Sequence, residues 1–542
     1  MKLKHLNFTS LRKGISSFFN QIKDWRQLSK VSISIHDALM SGVACMYFQD
    51  PSLLQFQKRL QDEQQRNNLQ TLFDVKNIPK ETQMREIIDQ VDSEYFRPIF
   101  KDFYSRLQRG KHLLKYQLFP GLYLFPFDGT GYFTSEKIHC EHCLMKRNRS
   151  KGFNFELLLN IPQELTLRTK ANTYILIGTS HFASGQYSLI DKFQKTSWKL
   201  FYIDNNEQQT DIEISEVTGL SEILRDKDLE KLSKDNNKKI IKKMLATYHA
   251  NIHNKSEVVY THQALQGGIM HPDQSVVIPF MPEEICNTDK GDKQDCEMNA
   301  GKRLVDKVCQ EHPQLGIIFG GDSLFSRQPI IEKILNRKAH YIFTAKPADH
   351  KCLMGWLANQ PSLEEKKFMD EKGQCHHYEW FNDVPLNGHA NSIRVNFFQY
   401  KLLSSDSKII FQNSWVTDLP VTLDTVETLV RGGRCRWKAE NECFNVLKNH
   451  GYCLEHSYGH GENNLCFNFY LMTLLGFFIH QIFELTDDVY KAARKKFGSK
   501  NHMWETLRSY IKIIVFDTWE TLLTFGLTPT SYTLTQVQAQ AP

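Results

Sequence analysis

Apolar residues recur at helical spacing through the first 120 residues of the chain. Pro51 and Pro79 separate the helical stretches. These stretches are SISIHDALMSGVACMYF, FQKRLQDEQQRNNLQTLF and KETQMREIIDQVDSEYFRPIFKDFYSRLQRGKHLL. The opening segment is also amphipathic, and its charged residues before Asp24 are all basic. We therefore predict an all-helical N-terminal domain over residues 1–120.

Short apolar runs alternate with helical patterns from residue 121 onward. We predict strands at 122–127, 257–265, 275–280, 315–319 and 340–344, and helices at about 293–310 and 324–336. Residues 346–434 contain strand-like runs at 392–402 and 408–416, which indicate a β-rich insertion. Residues 435–528 return to helical spacing, and we predict that 529–542 form a flexible tail. The alternation predicts an α/β fold with additional helices at both ends.

Three acidic residues stand at the heads of recognisable local patterns. Asp128 in LFPFDGTGYF and Asp322 in LGIIFGGDSL each follow a run with strand character, and Glu440 in RCRWKAENECFNVLK lies on a helix-compatible stretch. This layout allows three carboxylates to meet at one edge of a sheet. Their negative charges repel one another there, and binding of Mg²⁺ or Mn²⁺ relieves that repulsion. A phosphodiester is then the natural substrate. Taken singly, each acid also fits a turn, a helix cap or an ion pair.

Several blocks in the chain resemble the DDE transposases of bacterial insertion sequences. The blocks are FDGTGYFTSEKIHCEHC, VVYTHQALQGGIMHPDQSVVIPF, KQDCEMNAGKRL, GGDSL, FTAKPADHK and RWKAENECFNVLKNHGYCLEHSYGHG. The resemblance covers most of the chain and implies an RNase H-like catalytic core, formed by residues 121–148 and 256–345. It also implies that Asp128, Asp322 and Glu440 are catalytic and bind two Mg²⁺ (or Mn²⁺) ions per active site. The predicted order of strands and helices matches that core.

The helix of the third acid matches the family signature in part. A large part of the superfamily has Tyr, Arg, Glu and Lys on this helix, with Arg four residues before Glu and Lys seven after it. Arg436 and Glu440 fit that spacing, whereas Lys448 lies eight residues beyond Glu440 but six beyond Glu442, and Gly433 stands at the Tyr position. Glu440 is the favoured catalytic acid and Glu442 is the alternative.

The same helix holds the predicted DNA contacts. Arg436 and Lys448 are expected to contact phosphates near the cleaved end, or to form a solvated charged face. Trp437 is expected either to stack on an unpaired base or to be buried in the core. The basic N-terminal helices would bind the transposon end or the second protomer, or serve only for packing.

Residues 149–255 have no counterpart in the family pattern. The segment contains the strand-like runs TYILIGTSHF and WKLFYIDNN and then a charged helical piece, LSEILRDKDLEKLSKDNNKKIIKKMLATYH. It is either a small domain acquired at a surface connection or a sign of a damaged or chimeric reading frame. If the inserted module disrupts the first hairpin, the protein would be an inactive relic.

Composition limits the cellular setting. The chain has 542 residues and a formal net charge of +6, which permits a polyanionic partner without demanding one. No secretory signal is evident. The long apolar stretch from Leu465 to Leu485 includes Asn468, His480 and Glu484, which favours a core helix over a membrane span. These features predict a cytoplasmic protein that does not associate with a membrane, and the resemblance implies a bacterial protein that associates with the nucleoid.

One cysteine pair has zinc-ligand spacing. The chain contains 12 cysteines, a number that predicts reduced thiols in a cytosolic protein of this size. The local candidates for zinc are His139, Cys140, His142 and Cys143. No second ligand pair follows at comparable spacing, so Cys286, Cys296 or the His456/His460 pair would complete a site only through the fold.

The function that the resemblance implies is metal-dependent cleavage at insertion-sequence ends followed by strand transfer. The expected partners are DNA, namely the terminal repeats and the target, and a second copy of the chain when DNA is bound. Two alternatives remain open: an RNase H-like DNA nuclease that does not join strands, and an inactive DNA-binding transposase remnant.

Overall fold

A computed structural model describes residues 5–59, 67–147, 164–168, 173–179, 197–203, 209–212, 258–287, 295–455 and 458–531. The chain divides into two compact units. One unit comprises Met1–Leu144 and Tyr260–Pro542, and the other comprises Met145–Val259, which encloses the atypical segment 149–255.

The helices cluster at the two ends of the chain and between the central strands. Their bounds are α1 Phe8–Phe19, α2 Ile35–Tyr47, α3 Leu53–Arg59, α4 Asn68–Phe73, α5 Glu81–Asp89, α6 Arg97–Arg109, α7 Glu297–Glu311, α8 Gln328–Asn336, α9 Lys351–Ala358, α10 Val426–Arg434, a π-helix Ala439–Phe444, α11 Asn445–Asn449, α12 Leu465–Thr486, α13 Asp488–Phe497, α14 Lys500–Ile513 and α15 Trp519–Leu527.

The strands occupy the middle of the chain. Their bounds are β1 Gln117–Phe119, β2 Leu122–Ser135, β3 Leu144–Arg147, β4 Glu164–Arg168, β5 Thr173–Thr179, β6 Ser197–Ile203, β7 Gln209–Ile212, β8 Val258–His271, β9 Gln274–Pro279, β10 Glu283–Ile285, β11 Gly316–Gly321, β12 His340–Thr344, β13 Glu364–Met369, β14 Cys375–Pro385, β15 Arg394–Leu403 and β16 Ile409–Thr417.

A mixed sheet forms the centre of the larger unit. Its order is β10-β8-β2-β11-β12-β16-β15-β14-β13, with β1 beside β2 and β9 beside β8. The strands β2, β11 and β12 are parallel to one another, whereas β8 pairs antiparallel with both β2 and β9. The helix α7 lies between β10 and β11, and α8 connects β11 to the parallel strand β12. A connection between parallel strands needs an intervening segment of this kind. The predicted α/β class is therefore confirmed.

The β-rich segment after β12 extends the same sheet. β16 pairs with β12 through Ile342 and Thr417, and β15, β14 and β13 follow outward. The runs at 392–402 and 408–416 form β15 and β16. The edge strand β13, EEKKFM, is mostly exposed and charged, so it has no apolar alternation by which the sequence would reveal it.

The smaller unit contains a four-stranded antiparallel sheet of order β4-β5-β6-β7. The strand-like runs TYILIGTSHF and WKLFYIDNN correspond to β5 and β6. The charged helical piece predicted after them lies outside the described residues.

Two buried helices join the N-terminal and C-terminal regions of the larger unit. Gly42 of α2 lies against Met472 of α12, and Tyr47 packs on the ring of His480 at a centroid distance of 4.7 Å. The helix α12 is long and apolar enough to cross a membrane, but 94% of its apolar window is buried inside the protein. Among the described helices it alone meets that test, and its burial is that of a core helix.

Candidate active site

Asp128 lies on β2, between β8 and β11. Residues 122–126 of β2 pair in parallel with β11, and Asp128 itself is opposite Gln266 of β8. The neighbouring Phe127 is fully buried, so the core fixes the strand while the Asp128 side chain remains 20% exposed. The backbone amide of Gly129 donates a hydrogen bond of 2.9 Å to Asp128 Oδ1. This carboxylate is thus oriented by its own strand.

The parallel register of β2 and β11 brings Asp322 to the same edge. The last paired residues are Pro126 and Gly320, and Asp128 and Asp322 each follow two positions later. Neighbouring strands are roughly 5 Å apart, so the two carboxylates begin from adjacent points of the sheet. Asp322 Oδ1 accepts a hydrogen bond of 2.9 Å from the amide of Leu324, which fixes the turn after β11.

Glu440 reaches this edge from the π-helix Ala439–Phe444. One nitrogen of Arg436, Nη1, lies 2.6 Å from Asp128 Oδ2 and 2.5 Å from Glu440 Oε1. The guanidinium therefore bridges the two carboxylates. π turns inserted in helices are frequent at functional sites.

The pKa of Asp128 depends on its burial and on the charges of the other two acids. Burial raises this pKa to about 6, and the negative charges of Asp322 and Glu440 raise it as well. Arg436 and the Gly129 amide act in the opposite direction. A carboxylate with a perturbed pKa among charged neighbours is typical of a functional site.

A fourth carboxylate lies beside this group and was not predicted as a site residue. Glu297 occupies the first turn of α7, and burial together with the charge of Asp322 raises its pKa. A Cβ atom on Gly129 would collide with Glu297 Oε1, so the two residues are in close contact. Glu297 belongs to the block KQDCEMNAGKRL, but an acid in the first turn of a helix is an ordinary feature that signals no site.

Glu442 makes different contacts from Glu440. Its Oε1 lies 3.2 Å from Lys438 Nζ, and its buried Oε2 has no hydrogen-bond partner in the part of the chain that is described. Arg436 links Glu440, and not Glu442, to Asp128. The geometry thus favours Glu440 as the third member of the group.

The π-helix also accounts for the position of Lys448. A turn closed by i→i+5 bonds contains one residue more than an α turn, so eight residues after Glu440 span about the two turns that seven residues span in an α-helix. Lys448 Nζ lies 2.7 Å from Glu455 Oε1. At the signature's Tyr position, a Cβ on Gly433 would collide with the indole of Trp415, so the close packing there requires glycine.

Trp437, next to Arg436, lies at the protein surface. Its side chain is 55% exposed, which excludes the alternative that it is a core residue. An exposed tryptophan beside a cluster of charged residues is available to a ligand.

The Cys-x-x-Cys segment lies next to two histidines that are distant from it in the sequence. Its Cys140 and Cys143 form one group with His262 and His460, and the four ligand atoms lie within 4.8 Å of one another. The local candidates His139 and His142 are outside this group, and the ring of His139 packs on Tyr260 at 4.3 Å. Of the distant candidates, Cys286 and Cys296 do not join the group, and His456 is outside the described residues.

No protein-family model matches the chain, and no curated protein matches it at a significant level. The function of the protein is therefore inferred from its sequence patterns and from the geometry of these two groups of side chains.

Proposed function

We propose that this protein is a DDE transposase that cleaves DNA at the ends of an insertion sequence and joins the released 3′-OH to target DNA. The observation on which the proposal rests is the meeting of Asp128, Asp322 and Glu440 at one edge of the sheet, where the charges of the other two raise the pKa of Asp128. Sequence blocks similar to those of the family surround all three acids.

The order of the central strands supports an RNase H-like core. Three antiparallel strands, β2, β8 and β9, precede α7, and β11 then pairs in parallel with β2. The first acid lies on β2, the second comes directly after β11, and the third lies on a later helix. This is the order that the resemblance implies.

The donor set fits Mg²⁺ or Mn²⁺. The group offers carboxylate oxygens, which these ions prefer. Asp322 Oδ2 and Glu440 Oε2 have no protein donor within the described ranges, and burial opposes the charge of Asp128, which cations would compensate. Asp128, Asp322 and Glu440 would hold the ions. When bound, such ions activate the attacking oxygen of water or a DNA 3′-OH and stabilise the leaving oxygen.

The surrounding residues suit DNA. Arg436 uses only Nη1 for the two carboxylates, so its Nε and Nη2 remain for a phosphate. Trp437 presents an exposed ring on which a base can stack. Lys448 is paired with Glu455 in the free protein and would exchange this partner for a phosphate.

The test is a pair of reactions with Mg²⁺: one with an intact end of the element that encodes this chain, which reports cleavage, and one with a pre-cut end and supercoiled target DNA, which reports joining. Joined product is expected from the wild-type protein. Asp128→Asn, Asp322→Asn and Glu440→Gln should each abolish cleavage and joining while DNA-end binding persists, because amides retain the shape of the side chains but not their charge. Glu442→Gln is the matched control and should retain activity.

The same experiment separates the alternatives. Metal-dependent hydrolysis without joined product would indicate a nuclease, and end binding without nicking would indicate an inactive remnant. Loss of activity in Glu442→Gln with retention in Glu440→Gln would transfer the third role to Glu442.

A further inference from the structure

A second group of ligand atoms lies apart from the three carboxylates. It is formed by Cys140, Cys143, His262 and His460, which come from the loop after β2, from β8 and from the segment before α12. Cys143, His262 and His460 are each at least nine-tenths buried. All four belong to the larger unit.

The distances among the four atoms have the lengths of a tetrahedron's edges. Cys140 Sγ and Cys143 Sγ are 3.9 Å apart, and the two Nε2 atoms of His262 and His460 are 3.1 Å apart. Three sulfur–nitrogen distances are 3.5, 3.2 and 3.4 Å. A zinc ion with Zn–S of about 2.3 Å and Zn–N of about 2.0–2.1 Å has edges of about 3.8 Å (S–S), 3.6 Å (S–N) and 3.3 Å (N–N). The agreement extends to all three kinds of edge.

The outer contact of His460 aims a nitrogen lone pair at the centre of this group. His460 Nδ1 lies 2.6 Å from the carbonyl oxygen of Gly461, which can only accept a hydrogen bond. The proton is therefore on Nδ1, and Nε2 presents its lone pair to the cysteines. His262 Nδ1 lies 3.4 Å from Glu284 Oε1, and the hydroxyl of Tyr132 donates to that same oxygen at 2.5 Å. A carboxylate or carbonyl behind a ligand histidine is the usual outer contact of a metal site.

A disulfide does not account for these distances. The two sulfurs are 3.9 Å apart, whereas a disulfide requires about 2.05 Å, so the cysteines are not bonded to each other. With a cation at the centre, both imidazole nitrogens can present lone pairs although they lie only 3.1 Å apart.

We propose that Cys140, Cys143, His262 and His460 bind one Zn²⁺ in a closed structural site. Two thiolates and two imidazoles in tetrahedral arrangement select zinc over Mg²⁺ or Ca²⁺. Since the protein supplies all four ligands, no position remains for substrate, and the ion stabilises the fold instead of acting in the chemistry.

The location gives the ion a specific structural task. Residues 145–259 separate Cys143 from His262 in the chain, and His262 is opposite Phe133 in the pairing of β8 with β2. The ion closes this hairpin, whose first strand bears Asp128, despite the long intervening segment. His460 then attaches the segment that follows the π-helix of Glu440 to the same hairpin. The proposal does not depend on transposase activity.

The test is the metal content of the full chain, expressed in zinc-supplemented medium and dialysed free of loose ions. Elemental analysis should find one zinc per chain. Refolding with Co²⁺ in place of zinc should give the visible bands of tetrahedral cobalt and a thiolate charge-transfer band in the near ultraviolet. This spectrum uses the wild-type protein and decides the matter even if a variant fails to fold.

Variants assign the ligands. Cys143→Ser and His460→Ala should lose the zinc and lower the melting temperature, whereas His139→Ala and His142→Ala are matched controls that should keep it. Asp128→Asn should also keep it, which separates this ion from the carboxylate site. The proposal is overturned if the wild-type protein holds no zinc above the buffer blank and gives no tetrahedral cobalt spectrum. It is equally overturned if His139→Ala loses the ion while His460→Ala retains it.

Discussion

Arg436 and Asp128 form an ion pair of 2.6 Å although 308 positions separate them in the chain. The two side chains are only 16% and 20% exposed, so solvent screens the pair weakly. The same guanidinium nitrogen contacts Glu440. In the metal-free protein Arg436 therefore compensates part of the negative charge that bound cations would compensate, and the charge state of Asp128 becomes measurable through stability.

The first prediction concerns Asp128→Asn and pH. The pKa of Asp128 is about 6 in the folded protein, above its ordinary value of 3.8. Between these two pH values the folded protein binds more protons than the unfolded chain, so the free energy of unfolding decreases as pH rises through this window and stays lower above it. The variant should be more stable than the wild type by roughly 2 kcal/mol at pH 7.5 and by little at pH 4.

Urea denaturation in the presence of a chelator at the two pH values measures this difference. Asp273→Asn is the control, because the exposed Asp273 pairs with Arg431 and its pKa is lowered, so this change should give no gain at pH 7.5. An equal effect of Asp128→Asn at both pH values would show that the ionisation of Asp128 is not the cause.

The second prediction concerns Arg436. Arg436→Ala leaves Asp128 and Glu440 without their shared cation, so the pKa of Asp128 should rise above about 6 and the protein should lose roughly 1–3 kcal/mol of stability at pH 7.5. Arg436→Lys retains a charge and should restore part of the loss. Chemical denaturation across pH 4–8 tests both variants. If the free energy of unfolding of Arg436→Ala varied with pH as that of the wild type does, the bridge would contribute nothing to stability.

Much of this site follows from local sequence patterns. Asp128 and Asp322 each end an apolar run, and such runs predict strands whose ends meet at a sheet edge. The bridging contact between Arg436 and Glu440 follows from four-residue spacing on a helix. These inferences depend only on neighbours in the chain, and they place the acids on the elements that the structure shows.

Local sequence patterns miss the residues whose partners lie far away in the chain. No local pattern marks Glu297 or His262 as a site residue, because the side chains that each one contacts in the site are distant in the sequence. The same holds for His460, which local spacing groups with His456 and the fold groups with Cys143 instead. The π-helix is not predicted either, since one extra residue in a turn leaves no composition signal.

The third prediction concerns Trp437. If its exposed ring stacks on a base, Trp437→Ala should weaken binding to an end with an unpaired base by roughly 1–3 kcal/mol and should leave the melting temperature unchanged. Trp437→Phe should retain part of the binding. Fluorescence anisotropy with labelled ends measures both, and Trp25→Ala, which removes another exposed tryptophan, is the control. Equal losses for fully paired and unpaired ends would exclude base stacking.

The fourth prediction concerns Asp89, the last residue of α5. Its carboxylate accepts hydrogen bonds from the amides of Glu462, Asn463 and Leu465 at 3.1, 3.1 and 2.9 Å, which fixes the start of α12. Asp89→Ala leaves these donors without an acceptor and should destabilise the protein by roughly 2–4 kcal/mol. Asp89→Asn retains an acceptor and should cost less. The exposed Asp488→Ala serves as control in thermal denaturation. A loss no larger than in this control would show that α12 does not need the cap.

The last prediction concerns the segment 149–255. Residues 145–259 form a compact unit of their own, and within the larger unit β2 and β8 already pair from Phe133 with His262 to Ser135 with Tyr260. Joining Asn148 directly to Ser256 should therefore give a soluble protein whose thermal unfolding is no weaker, because the shorter connection loses less entropy on closing, by about 0.6 kcal/mol for each halving of its length. Near-ultraviolet circular dichroism should remain native-like, and DNA cleavage should stay the same or increase. A molten product, with far-ultraviolet but no near-ultraviolet signal, would show instead that the catalytic fold requires this segment.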